Sequence, residues 1–155
     1  MAHITPFLWF DKNLKEITDF YISVFPNSRI TSKGALSDTP SGDVEMATMD
    51  ILGQKLQMMT AGPLFTFTEA ISFVISCKDQ AEVDYYWNKL TSDGGTESQC
   101  GWLKDKYGLS WQVVPDAMEH MMSTGTKEQI GRVTKAFLQM KKFDIATLEA
   151  AFNQG

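Results

Sequence analysis

The sequence predicts an α+β protein made of two consecutive βαβββ modules followed by a helical extension. Two internal matches and one change of periodicity predict it. PFLWFDKNLKEITDFYISV (6–24) matches SFVISCKDQAEVDYYWNKL (72–90) at a constant shift of 66, which sets Phe7 against Phe73, Leu8 against Val74, Trp9 against Ile75 and Tyr21 against Trp87. LGQKLQMM (52–59) matches YGLSWQVV (107–114) at a shift of 55, which sets Gly53 against Gly108 and Gln57 against Gln112. Self-similarity of this length marks a duplicated supersecondary unit. After Pro115 the alternating pattern gives way to helical spacing.

Each half begins with an apolar strand, a short polar link and a helix. Apolar residues at 17, 20, 21, 24 and at 83, 86, 87, 90 form the i, i+3, i+4, i+7 stripe of one buried face, so helices are expected near 12–25 and 79–92. Gly94–Gly95 is expected to close the second helix. Two or three strands follow in each half, with a polar loop SDTPSGD (37–43) in the first. Asp50 and Asp105 each precede a glycine by three residues, ahead of the last strand. Aspartate hydrogen-bonds its own backbone and glycine supplies positive φ, so both aspartates read as turn formers rather than catalytic carboxylates. The modules are expected over 1–62 and 66–115, joined near AGPLFTFTE (61–69), within one domain of 1–155. Segment 116–153 holds three helical stretches behind the N-cap candidates Asp116, Thr126 and Asp144, and Thr126 with Gln129 makes a capping box.

Hydrophobic residues at 43% and charged residues at 21% are ordinary for a globular chain of 155 residues. A net charge of −5 and a pI near 5.0 oppose a phosphate backbone, and the pairs Lys104/Lys106 and Lys141/Lys142 are too short to offset it. No nucleic-acid partner is therefore expected. MAHITPFLWF lacks the basic and long apolar regions of a secretory signal. No run approaches the ~18 apolar residues of a membrane span, so no membrane partner is expected either. Cys77 and Cys100 are too few for a disulfide framework, which favours a reducing cytoplasm. Cys77 reads as a small core residue. Cys100 as a nucleophile would need His3 or His120, and neither lies near it in sequence.

FLWFD (7–11), DFYISVFPNSRI (19–30), SFVISCKDQAEVDYYWNKL (72–90), CGWLKDKYGLSWQVVP (100–115) and KAFLQMKKFDIATLEAAF (135–152) together resemble the PhnB-like group of the vicinal oxygen chelate superfamily. That superfamily includes glyoxalase I, extradiol dioxygenases and bleomycin-resistance proteins, and the group is often called 3-demethylubiquinone-9 3-methyltransferase. The resemblance implies a glyoxalase/bleomycin resistance-like fold, each module a cup-shaped mixed sheet with helices outside and a pocket inside. It also implies a divalent metal held by the first and last strands of each module. Carried over, those positions are Pro6 (or Thr5), Gln57, Ser72 and Gln112. None is a histidine or carboxylate, and neutral oxygens do not neutralise a dication, so no catalytic metal is expected. No cofactor is expected: the glycines at 34, 42, 53, 62, 94, 95, 101 and 108 form no glycine-rich strand–turn–helix for a methyl donor.

Alternation sorts side chains between the faces of each cup. Ile71, Phe73, Ile75 and Cys77 are expected to face the helix, as are Leu109, Trp111 and Val113. Ser72, Val74 and Ser76, then Ser110, Gln112 and Val114, are expected to face the second cup, and Lys55, Gln57 and Met59 the first. The resemblance places Cys100 and Trp102 at pocket-lining positions. Trp102 offers an apolar platform with one N–H donor; its alternative is burial in a dimer or beneath the C-terminal helices. The expected ligand pocket is therefore Gln57, Met59, Ser72, Val74, Cys100, Trp102 and Gln112, with no catalytic residue assigned.

Two functional classes follow. One is a module that binds a small-molecule ligand without a catalytic metal, like the metal-free bleomycin-resistance proteins. The other is a metal-independent enzyme on a small organic substrate, with Cys100 or an acidic residue transferring a proton. The nine methionines and ten phenylalanines also fit plain packing. Open sheet edges and the apolar residues of 116–153 predict a homodimer. Pairing of the modules within one chain and exchange between two chains both remain compatible with the sequence.

Overall fold

The computed structural model describes residues 1–154 and divides the chain into two compact units, Met1–Thr66 and the segment from Phe67 onward. The first unit runs β1 (Phe7–Phe10), α1 (Leu14–Val24), β2 (Arg29–Thr39), β3 (Gly42–Ile51) and β4 (Gln54–Thr60), with sheet order β1-β4-β3-β2. The second runs β5 (Phe73–Cys77), α2 (Gln80–Thr91), β6 (Thr96–Glu97), β7 (Trp102–Lys104) and β8 (Ser110–Pro115), with order β5-β8-β7-β6. Helices α3 (Asp116–Thr124), α4 (Lys127–Phe137) and α5 (Ile145–Asn153) complete it. The first and last strands of each module pair in parallel and the rest antiparallel, which is the expected α+β plan of two βαβββ modules with a helical extension.

The helical stripes are the reason the sheets have a covered side. α1 buries Leu14, Ile17, Tyr21 and Val24, while Leu8, Phe10, Met49, Leu56 and Met58 are buried on the strands. α2 buries Val83, Tyr86, Trp87 and Leu90, while Ile75, Cys77, Leu103, Trp111 and Val113 are buried in its sheet. Each such side chain contributes about 1.5–3 kcal/mol by leaving water. Asp79 caps α2 by accepting from the Glu82 N–H at 2.9 Å.

The repeat is not in one register throughout. In the helices the shift of 66 holds, for Ile17 and Val83 are both buried. In the strands it does not. Gln57 pairs with Phe7 and Gln112 with Val74, so Phe7 corresponds to Val74 at a shift of 67. The expected match of Phe7 with Phe73 and Leu8 with Val74 is thus off by one. The link from strand to helix holds residues 11–13 in the first module and only 78–79 in the second. A strand alternates with period two, so this one-residue difference exchanges the faces.

Four smaller expectations are also corrected. The loop expected over 37–43 is a tight hairpin, because β2 and β3 extend to Thr39 and Gly42 and the Thr39 Oγ1–H donates to the Gly42 carbonyl at 2.6 Å. α2 ends at Thr91 with Ser92, not Gly94–Gly95, in the cap position, and Asp93 and Gly94 take the left-handed conformation beyond it. Asp116 is not an N-cap: β8 runs straight into α3, Pro115 holds the cap position, and Asp116 lies in the first turn, where its charge suits the helix dipole. Ile71 is exposed, since it precedes the first residue of β5. Thr126 does form the capping box with Gln129, and Asp144 accepts from the Thr147 N–H at 2.8 Å.

The helical extension has its own core of Met121, Val133, Phe143 and Leu148. It is tied to the second sheet through backbone. The Cys100 and Gly101 N–H groups donate to the carbonyls of Met140 and Lys141, both at 2.8 Å. The Gln80 amide donates to the Phe143 carbonyl at 3.0 Å and accepts from the Ile145 N–H at 2.8 Å.

Candidate functional site

The uncovered face of each sheet carries the residues of interest. In the first sheet Gln57 lies between Phe7 and Thr48, and Met59 between Trp9 and Met46. Phe7, half exposed at 50%, and Gln57 border a depression of about 200 Å³ with Thr48, Met46 and Ser32. Trp9 is held at the side of this face, its indole N–H donating to the Gly62 carbonyl at 2.8 Å and its ring edge-on to Phe65 at 5.0 Å.

In the second sheet Val74, Gln112 and Trp102 form one row across β5, β8 and β7. Val74 is 53% exposed. The Gln112 amide donates to Ser72 Oγ at 3.0 Å, which fixes the amide against the start of β5. One step along, Lys104 sits opposite Ser110, and a second depression of about 220 Å³ is bordered by Trp102, Lys104, Ser110 and Glu69. Glu69 forms an ion pair with Lys104 (the contact that most holds its carboxyl below the usual range).

Trp111 lies on the covered side, as expected, with its indole N–H donating to Asp105 Oδ2 at 2.9 Å. Ser110 was expected to open into the cup; it shares that face but is fully buried. Cys100 departs furthest from expectation. It has φ 55 and Gly101 φ 80, so two successive left-handed residues break the pleat before β7 begins at Trp102. Its side chain packs against the Met121–Phe143 cluster, not in the Val74–Gln112–Trp102 row. His120 is exposed on α3, and among the described residues it makes no hydrogen bond to Cys100. Cys77 is buried, and burial pushes its thiol up to about 12.

The positions where the resemblance implies metal ligands can now be tested for fit. With the strand register corrected, Ser72 corresponds to Thr5 rather than Pro6. The donors are then Thr5 with Gln57 in the first module and Ser72 with Gln112 in the second: one hydroxyl and one amide in each, the second pair already bonded to each other. Among the described residues no group of three or more His, Cys, Asp or Glu is placed to hold a metal. These side chains do not fit a catalytic divalent cation. Sequence reasoning missed Glu69 and Lys104 as members of the site, because their juxtaposition depends on the loop before β5 crossing toward β7.

Two helix-backed mixed sheets of βαβββ order give the chain the glyoxalase/bleomycin resistance-like fold. Within it, the chain belongs to the PhnB-like family described as 3-demethylubiquinone-9 3-methyltransferase, whose profile matches residues 2–114. A putative 3-demethylubiquinone-9 3-methyltransferase, PhnB protein, from Bacillus cereus is 30% identical, with a TM-score of 0.64 over 74% of this chain and 99% of that one. A Pseudomonas aeruginosa protein is 20% identical, with a TM-score of 0.56 over 74% of this chain and 98% of that one. The fosfomycin resistance protein FosX of Listeria monocytogenes is 16% identical, with a TM-score of 0.57 over 78% of this chain and 96% of that one. These last two are likenesses of fold. No match is found among curated proteins.

Proposed function

We propose that the chain binds a small organic molecule on the uncovered sheet faces, without a catalytic metal. The observation that carries this is the row of Val74, Gln112 and Trp102: an exposed aliphatic group, an amide held by Ser72, and an indole side by side. Such a mix of apolar surface and few polar groups suits a small amphipathic ligand. On the first sheet Gln57 and Met59 supply the equivalent pair beside Phe7 and Trp9. Cys100, packed against the helical cluster, is left out of the binding face. The family description names a methyl transfer, but neither sheet is the doubly wound parallel sheet whose glycine-rich turn receives a nucleotide-bearing donor.

Further parts of this reading concern assembly and place. Phe7, Leu36, Leu64, Phe65 and Val74 are large and exposed on the single chain, and β2 is an edge strand of 11 residues, so a homodimer is proposed. Two free thiols agree with a reducing cytoplasm. No helix is long and apolar enough to cross a membrane among the described residues.

Native mass spectrometry of the purified protein tests the central claim. A co-purifying organic molecule that is lost in the Trp102→Ala/Gln112→Ala double variant is the expected result. Equal retention by wild type and variant removes the second sheet face from the proposal.

A further inference from the structure

The second depression contains a group that the small-molecule reading does not use. Ser110 is 0% exposed, and its Oγ has no hydrogen-bond partner in the protein. A buried hydroxyl left unpaired is costly, and native structures rarely keep one without a reason. Its direction is settled by register. Ser110 alternates with Leu109 and Trp111, which are buried on the α2 side, so it shares the uncovered face with Gln112 and with Lys104, its cross-strand neighbour.

The other groups around the depression divide by role. Glu97 is engaged already: it accepts from the Trp87 indole N–H at 2.9 Å and lies 3.9 Å from the Lys141 ammonium. The Trp102 indole N–H has no protein acceptor among the described residues, unlike those of Trp9, Trp87 and Trp111. The Lys104 ammonium has one partner, Glu69, whose side chain is 63% exposed. Lys104, Ser110 and Trp102 therefore border one small space, and their side chains bring it an ammonium, a hydroxyl and an indole N–H as donors. Its one loosely held acceptor is a carboxylate from a loop, in an exposed pair of the kind that adds little stability.

We propose that the ligand of this sheet carries an oxyanion head, such as a carboxylate, bound by Lys104, Ser110 Oγ and Trp102, and that Glu69 occupies Lys104 in its absence. This rests on the small-molecule reading and assigns that ligand its chemistry. An anion accepts from all three donors, and hydrogen bonds to charged acceptors are the stronger kind. The remainder of the ligand then lies along Val74, whose exposed surface is apolar, beside the Gln112 amide.

Three probes with one ring and different heads test it: benzoate, benzyl alcohol and benzylammonium, titrated into ¹⁵N-labelled protein. The reporter is the Trp102 indole N–H signal, assigned with Trp102→Phe, and the three other indole signals report that the fold is intact. Benzoate should shift it saturably and bind at least about tenfold tighter than benzyl alcohol. Lys104→Gln should bring benzoate down to the alcohol. Glu69→Gln, which removes the competing carboxylate, should tighten benzoate by up to about fivefold and leave the alcohol unchanged. If benzylammonium binds tightest, or Lys104→Gln leaves benzoate unaltered, the oxyanion assignment fails while the small-molecule reading stands. If no probe moves the Trp102 signal, the oxyanion assignment fails and the second sheet face leaves the small-molecule reading with it.

Discussion

Asp50 and Asp105 stand at equivalent places in the repeat and do different amounts of work. Asp50 accepts from the Gly53 N–H at 2.9 Å at a partly open turn. Asp105 is 2% exposed and accepts from the N–H groups of Tyr107 and Leu109 and from the Trp111 indole. The turn-former reading of the sequence covers the first fully and the second only in part. Asp105→Asn places an amide NH₂ against N–H donors and should cost about 1–3 kcal/mol in urea denaturation. Asp50→Asn should stay within about 0.5 kcal/mol. Equal costs would mean that the buried indole bond contributes nothing.

Cys77 makes a pH prediction at the same scale. Its thiol ionises ordinarily near 9.0 and in the folded chain near about 12, because burial opposes the thiolate. Between those values only the unfolded chain gives up the proton. The contribution is whole below about pH 9 and is lost as pH rises toward 12. Wild type should therefore lose stability more steeply than Cys77→Ala between pH 9 and 11, read as the difference between their denaturation midpoints. Parallel curves would show that Cys77 ionises as freely folded as unfolded.

At the scale of elements, the helices and the Asp-x-x-Gly turns were legible and the strand registers were not. The stripe at 83, 86, 87, 90 places α2 directly, since 3.6-residue periodicity is set by the helix itself. A strand's faces depend on register with its partners, so one residue fewer in the link before α2 was enough to misalign β1 with β5. The stretch at 100–101 failed for a related reason. Cys100 and Gly101 look like strand in an alternating run, but their N–H groups are claimed by Met140 and Lys141, distant in sequence. Gly101 is required there: a Cβ would lie 2.5 Å from the Phe143 ring and 3.0 Å from the Val113 carbonyl, at φ +80. Gly53, at φ +83, has open space around it. Gly101→Ala should thus cost several kcal/mol, by strain plus overpacking, against about 1 kcal/mol for Gly53→Ala, measured by thermal or urea unfolding. Similar losses at both sites would mean that Phe143 moves aside freely.

For the whole molecule, the exposed apolar residues and the long edge of β2 set the expectation for assembly. Light scattering at micromolar concentration should return the mass of two 17.4 kDa chains, with a two-fold interface above ~1,000 Å². A single-chain mass would remove the dimer. By itself the sequence determined the number of modules, the helices and their buried stripes, the family, and the donor types at the four strand positions, because periodicity and residue chemistry are local. Only the tertiary structure decided that Cys100 belongs to the helical cluster, that Ser110 is buried without a partner, and that Glu69 meets Lys104. Each of these depends on which distant backbone comes alongside, and cross-strand register and loop path are properties of the folded sheet, carried by no short run of residues.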